Sequence, residues 1–144
     1  MGKNAQERGS RKASRIAQRV AEGVAIASAR NIRMSPLKVR HVIDLIRGKD
    51  YQDAVSILSF TPNIAAEPIR KCVQSAAANA ENNMSLDPER LYVKACFVDA
   101  GFTFKRMHPT TMGRARVIRK RTSHITVQLA EHPRTRTARA GGSK

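Results

Sequence analysis

Long apolar runs are missing from this chain. No stretch approaches the roughly 20 residues that a helix needs to cross a bilayer, so no membrane partner is expected. Cysteine is scarce. Cys72 and Cys96 are too few for a disulfide scaffold and, by themselves, for a zinc site. Both fall on apolar faces of the elements expected below, where they read as small buried hydrophobes rather than reactive thiols. A reducing cytosol suits them. Targeting signals are thin as well. The start, MGKNAQ, puts Gln6 where a myristoylation signal takes Ser or Thr, and no apolar secretory region follows it. An Arg- and Ser-rich, acid-poor leader is also the composition of an organellar transit peptide, the alternative to a cytoplasmic protein.

Acid is the other shortage. Eleven Asp and Glu face 27 Lys and Arg in 144 residues, a formal net charge of +16. The imbalance is confined to the ends. Residues 34–99 hold eight basic and eight acidic residues, residues 1–33 hold eight and two, and residues 100–144 hold eleven and one. A neutral folded body with two cationic ends points to a polyanionic partner, nucleic acid above all.

The chain divides into a basic tail at 1–22, one domain at 23–131 and a basic, glycine-containing disordered tail at 132–144. Within the first tail, Ile16, Val20 and Val24 recur at helical spacing and could form a short amphipathic helix on a surface. Val24 to Ile32 alternates as a first strand. Ser35-Pro36 supplies an N-cap with proline at N1, and Val39, Val42, Ile43 and Ile46 make one buried helical stripe that Gly48 is expected to end. Asp50 is expected to cap a second helix carrying Tyr51, Ala54, Val55 and Leu58. Thr61-Pro62 is expected to open a third and longest helix, running to about Asn82; Pro68 is awkward inside it, so the helix either bends there or begins properly only near that residue. Asp87-Pro88 then turns the chain into strands. The fold class is α+β, three helices packed on one face of a small three-stranded antiparallel sheet.

Catalysis has little to stand on. His41 falls on a helix flank, His108 near a hairpin tip without a carboxylate nearby, and His124 beside Ser123, whose side chain points to the other face of a strand. His132 falls in the tail. No pair of acids recurs at a spacing for shared acid–base work, and no glycine loop cradles phosphate. No cofactor or metal is expected.

The stretch from Gly101 to Gln128 is different. Lys105, Arg106, Arg114, Arg116, Arg119, Lys120 and Arg121 lie there without one acid. Strand alternation on both sides and the turn formers Pro109 and Gly113 between them give a long extended β-hairpin at about 101–121. Nine residues per arm would reach about 30 Å. An isolated ribbon is marginal in water, so the arm needs a partner to order it. Arg114 and Arg116 share one side of the returning strand, Arg119 and Arg121 share a side, and Lys120 points away from those two. Cations on both sides suit a ligand that surrounds the ribbon, and Arg suits phosphate oxygens and stacked bases. Arg47 and Lys49 read as an ordinary solvated face. RNA fits this enclosure better than one DNA groove. An architectural DNA-binding protein with a basic β-ribbon arm is the second reading, although no self-associating surface is evident and such proteins usually dimerise.

At these residues the chain resembles the bacterial-type large-subunit ribosomal protein twenty-two family, a universal one. The resemblance is carried by SPLKVRHVIDLIRGK (35–49), SAAANAENN (75–83), FVDAG (97–101), FKRMHP (104–109) and GRARVIRKRTSHITV (113–127), and spans about Ala25 to Glu131. It implies a non-catalytic constituent of the large ribosomal subunit, monomeric within the cytoplasmic ribosome and bound to 23S-type rRNA beside neighbouring ribosomal proteins. The body would lie on the outer face near the nascent-chain exit. The hairpin would thread between rRNA segments to the tunnel wall near its constriction, aiding assembly and bordering nascent peptide and macrolide drugs. By position, Ser35, Lys38 and Arg40 match the RNA-facing start of the first helix. Lys105 and Arg106 match the tunnel-proximal pair, and Arg114, Arg116, Arg119, Lys120 and Arg121 the returning basic strand. Arg106, Met107, His108, Pro109, Thr110, Thr111, Met112 and Gly113 would line the tunnel, His108 also touching RNA. The family's tip often carries basic residues where this chain has Thr110, Thr111 and Met112, which implies a less positive tunnel wall.

Overall fold

The first strand, β1 (Val24–Ile32), enters a sheet whose order is β1-β3-β2, antiparallel throughout. Between β1 and the long strands β2 (Leu91–Pro109) and β3 (Ala115–Glu131) run three helices, α1 (Pro36–Ile43), α2 (Tyr51–Phe60) and α3 (Ala66–Met84). This computed structural model describes residues 23–132, so the tail assigned to 1–22, its amphipathic helix included, and the tail beyond His132 lie outside the described residues. The α+β expectation holds. Val39, Val42, Ile43 and Ile46 from the α1 segment and Ile69, Cys72, Val73, Ala76 and Ala80 from α3 share one core with Ile125, Val127 and Leu129 of β3. Alanines along α3 let its backbone approach the sheet closely, where Asn79 Nδ2 donates to the carbonyl of Ile26 at 3.0 Å.

Strand β2 does not alternate simply. Leu91 and Val93 are buried, but so are Cys96 and Val98, which have the opposite parity. The register against β3 shifts between Val93 and Ala95. One extra residue in a bulge turns both pairs toward the core. The cysteines are 4% and 0% exposed, and burial raises both thiol pKa values above their ordinary range, which leaves little thiolate for chemistry.

Several helix boundaries differ from expectation. Ser35 stands at the N-cap of α1 with proline next, but its side chain makes no capping hydrogen bond. The segment after Ile43 tightens through Leu45 N–H to Val42 O and Ile46 N–H to Ile43 O, so α1 stops before Gly48 while Ile46 stays buried. Gly48, at φ +72°, instead donates its N–H to Val93 O at 3.1 Å. Asp50 does not cap α2 through its side chain; its carboxylate meets His132 Nε2 at 2.8 Å. Thr61 ends α2 rather than opening α3, donating Oγ1 to Ile57 O at 2.7 Å. Asn63 Oδ1 receives the Ala65 N–H, and α3 starts at Ala66. Pro68 therefore falls in the first turn, where its missing N–H has no helical partner to lose. The helix ends at Met84, beyond Asn82, with Ser85 left-handed at φ 52° and Leu86 N–H returning to Ala80 O.

The three-stranded part of the sheet closes where Ile32 pairs with Ser123 and Ser123 with Ala100. Beyond it, β2 and β3 continue as two strands, after a second register shift between Ala100 and Thr103. Gly101 sits at that departure. A Cβ there would lie 2.5 Å from Thr122 Oγ1 and 3.1 Å from His124 Cε1, and the Thr122 hydroxyl is held by donation to Phe102 O at 2.6 Å. Gly101→Ala should destabilise the body by roughly 1–3 kcal/mol, the usual scale for overpacking, and Thr122→Ala should restore part of the loss in the double variant. Thermal unfolding measures both; an unchanged melting temperature for Gly101→Ala would refute this role.

Candidate nucleic-acid interface

From Lys105 to Arg121 every residue is exposed. The pairing register assigns each cation a side, because directly opposed residues share a face. Lys105 opposes Arg119, Met107 opposes Val117 and Thr103 opposes Arg121 on one side. Phe104 opposes Lys120, Arg106 opposes Ile118 and His108 opposes Arg116 on the other. Both faces are thus cationic. The arm from Thr103 to Pro109 runs about 20 Å at the usual rise per residue, shorter than the sequence suggests because residues 101 and 102 are taken up by the register shift at the base.

The tip is closed by Thr110, whose N–H and Oγ1 both reach Arg114 O at 2.8 Å. Met112 and Gly113 take left-handed conformations at φ 60° and 69°. Threonine at 110 therefore shapes the loop, whatever it removes in charge.

At the ribbon's base lies a cleft of about 880 Å³. Arg119, Lys120 and Arg121 line it from the hairpin, and Arg33, Ser35 and Lys38 line it from the β1–α1 connection. Pro62, Asn63 and Ile64 border it from the loop before α3, with Phe104 and Met34 adding apolar surface. The Arg33 guanidinium carbon lies 5.5 Å from the Phe104 ring centroid and that of Arg106 lies 5.8 Å away, within cation–π range. Phe102 meets Phe104 edge-on at 5.0 Å. No acid among the described residues lines this cleft. Among the described residues the ion pairs are Arg47–Asp44, Lys71–Glu67 and Arg90–Glu131, none of which uses a cation of the cleft or ribbon.

The site residues expected from sequence therefore separate. Ser35 and Lys38 meet Arg119, Lys120 and Arg121 in the cleft. Lys105, Arg106, His108, Arg114 and Arg116 lie further out on the ribbon. Arg40 is different: its Nε and Nη2 donate to Val98 O at 3.3 and 2.9 Å, tying α1 to β2. Arg33, Ile64 and Phe104 belong to the cleft without having stood out in the sequence. Arg33 lies three residues before α1 in a basic segment, and Ile64 follows the turn formers Pro62 and Asn63, so each left a weak trace.

His124 and His132 fit structural roles. His124 Nδ1 accepts the Asn31 N–H at 3.0 Å, supporting a left-handed Asn31 at φ 59° at the irregularity in β1. His132 stacks on Tyr92 with centroids 4.4 Å apart. Among the described residues no three His, Cys, Asp or Glu side chains gather as a metal site.

A neutral α+β body that extends a basic two-stranded arm is the class of molecule this geometry defines. Residues 27–130 match the family described as Ribosomal protein L22p/L17e, and the chain belongs to that family. Proteins named "Large ribosomal subunit protein uL22" are similar to it. The one from Pelotomaculum thermopropionicum is 56% identical over 105 residues, 73% of this chain and 93% of its own. That from Desulfitobacterium hafniense strain Y51 is 58% identical over 105 residues, 73% of this chain and 92% of its own. The family is one of structural proteins, so the chain is not an enzyme.

Arg40 and Lys38, two residues apart, should behave oppositely. Arg40→Met removes a charged donor from a half-buried carbonyl and should cost about 1–2 kcal/mol of stability. Lys38→Met should leave chemical denaturation unchanged within about 0.5 kcal/mol and weaken RNA binding. Equal effects on folding would contradict the division.

Proposed function

We propose that this ribosomal protein is a structural constituent of the large subunit in the cytoplasm, binding large-subunit rRNA through its hairpin and the cleft at the hairpin's base. Neighbouring ribosomal proteins would contact the body. The observation that carries the reading is the ribbon itself, cationic on both faces, exposed along its length and without an acid to neutralise it. Family membership supports the same partner.

The mechanism follows from charge and shape. Phosphates approaching both faces relieve repulsion between opposed cations such as Lys105 and Arg119, so binding and ordering of the arm occur together. Segments held on opposite faces become tied to each other, which is how the protein would aid assembly. The tip, from Arg106 to Gly113, would then line the nascent-peptide tunnel. With Thr110, Thr111 and Met112 in place of cations it presents hydroxyl and thioether groups to the passing chain.

Neutralising Arg119, Lys120 and Arg121 to Gln should weaken binding to large-subunit rRNA and lower the slope of log affinity against log salt by about two to three, close to one for each phosphate no longer neutralised. The same change at Arg47 and Lys49 should do far less. Binding titrations at several salt concentrations measure both, and equal slopes in the two variants would remove the ribbon from the interface. Deleting residues 107–112 should leave the body folded and subunit association largely intact, while altering drug or nascent-chain behaviour in the tunnel. A deletion that unfolds the whole chain would contradict the separation of body from arm.

A further inference from the structure

The cleft at the base of the hairpin differs chemically from the ribbon beyond it. The outer ribbon is a row of cations suited to phosphates. The cleft has cations on one part of its wall, Arg33, Lys38 and Arg119 among them, and apolar groups on another, Pro62, Ile64 and Phe104. Ile64 is 85% exposed, a large apolar side chain left facing water on the cleft wall. The volume, about 880 Å³, is within the range of pockets that enclose small ligands.

Resting on the rRNA-binding reading above, we propose that this cleft receives an unpaired nucleotide of the rRNA, its base against Ile64 and Phe104 and its phosphate on Arg33, Lys38 and Arg119. A double helix does not fit this chemistry. Its outer surface offers phosphate and sugar, which the apolar groups cannot use, and its bases are stacked away. An unstacked base offers the flat apolar face that such groups cover, and RNA loops and bulges supply such bases. Charge complementarity selects the occupant: the lining carries five cations and no acid.

Exposure of Ile64 makes the site testable without disturbing the core. The full chain carrying p-benzoylphenylalanine in place of Ile64 is assembled into large subunits and irradiated, and crosslinks are mapped by reverse transcription. A second chain carries the photoreactive residue in place of His108 on the ribbon. Position 64 should crosslink to one nucleotide, or two adjacent ones, whose base-pairing edge reacts with dimethyl sulfate or carbodiimide in subunits lacking the protein. In free RNA fragments spanning the crosslink, an abasic residue at that nucleotide should weaken binding roughly tenfold. The loss should largely disappear in the Ile64→Ser background. Crosslinks from position 64 to protein, to a paired segment, or to no RNA while position 108 still reaches RNA would overturn the proposal and leave the general reading intact. An abasic fragment that binds as well as the intact one would overturn it too. Failure of both positions to reach RNA would remove the rRNA-binding reading together with this one.

Discussion

Lys105 lies directly across the ribbon from Arg119, with no carboxylate anywhere between Gly101 and Gln128. Opposed like charges weaken a two-stranded ribbon by up to about 1 kcal/mol a pair, and this ribbon has no buried side chain to offset them. Under the function proposed above, its order would depend on charge brought from outside. That dependence would link the fold to the function: the segment with least packing of its own would be the one that meets a polyanion.

Direction is set at the base. Gly101 permits the close approach of Thr122, whose hydroxyl fastens the strand at Phe102, and His124 holds Asn31 where β1 ends its pairing. Arg40 ties the first helix to β2 just before the departure. These contacts are short in range and lie within the rigid sheet. Past them the chain exchanges internal packing for exposed charge within a few residues. The cleft falls at that boundary, where apolar groups continuous with the body meet the first cations of the arm.

Much of this was legible in the sequence because its signals are periodic or local. The stripe Val39, Val42, Ile43 and Ile46 gave the first helix and its buried face, and the partition of charge gave a neutral body with a basic arm. The boundaries were harder. Thr61-Pro62 has the form of a helix start, but the Thr61 hydroxyl bonds backward to Ile57, and a local motif does not reveal which neighbour wins. The bulge near Ala95 was hidden because parity shifts resemble imperfect alternation. Arg40's bond to Val98, 58 residues away, leaves no local trace in the sequence. Arg33, Ile64 and Phe104 come from three separate segments, and only tertiary folding brings them to one cleft.

The most direct measurement of the ribbon's dependence on external charge is amide hydrogen exchange on the full chain, free and assembled into the large subunit. In the free protein, amides from Lys105 to Lys120 should exchange quickly while those of Ile125, Val127 and Leu129 stay protected. On assembly the ribbon should become protected as well. A ribbon already as protected as the core in the free chain would contradict that dependence.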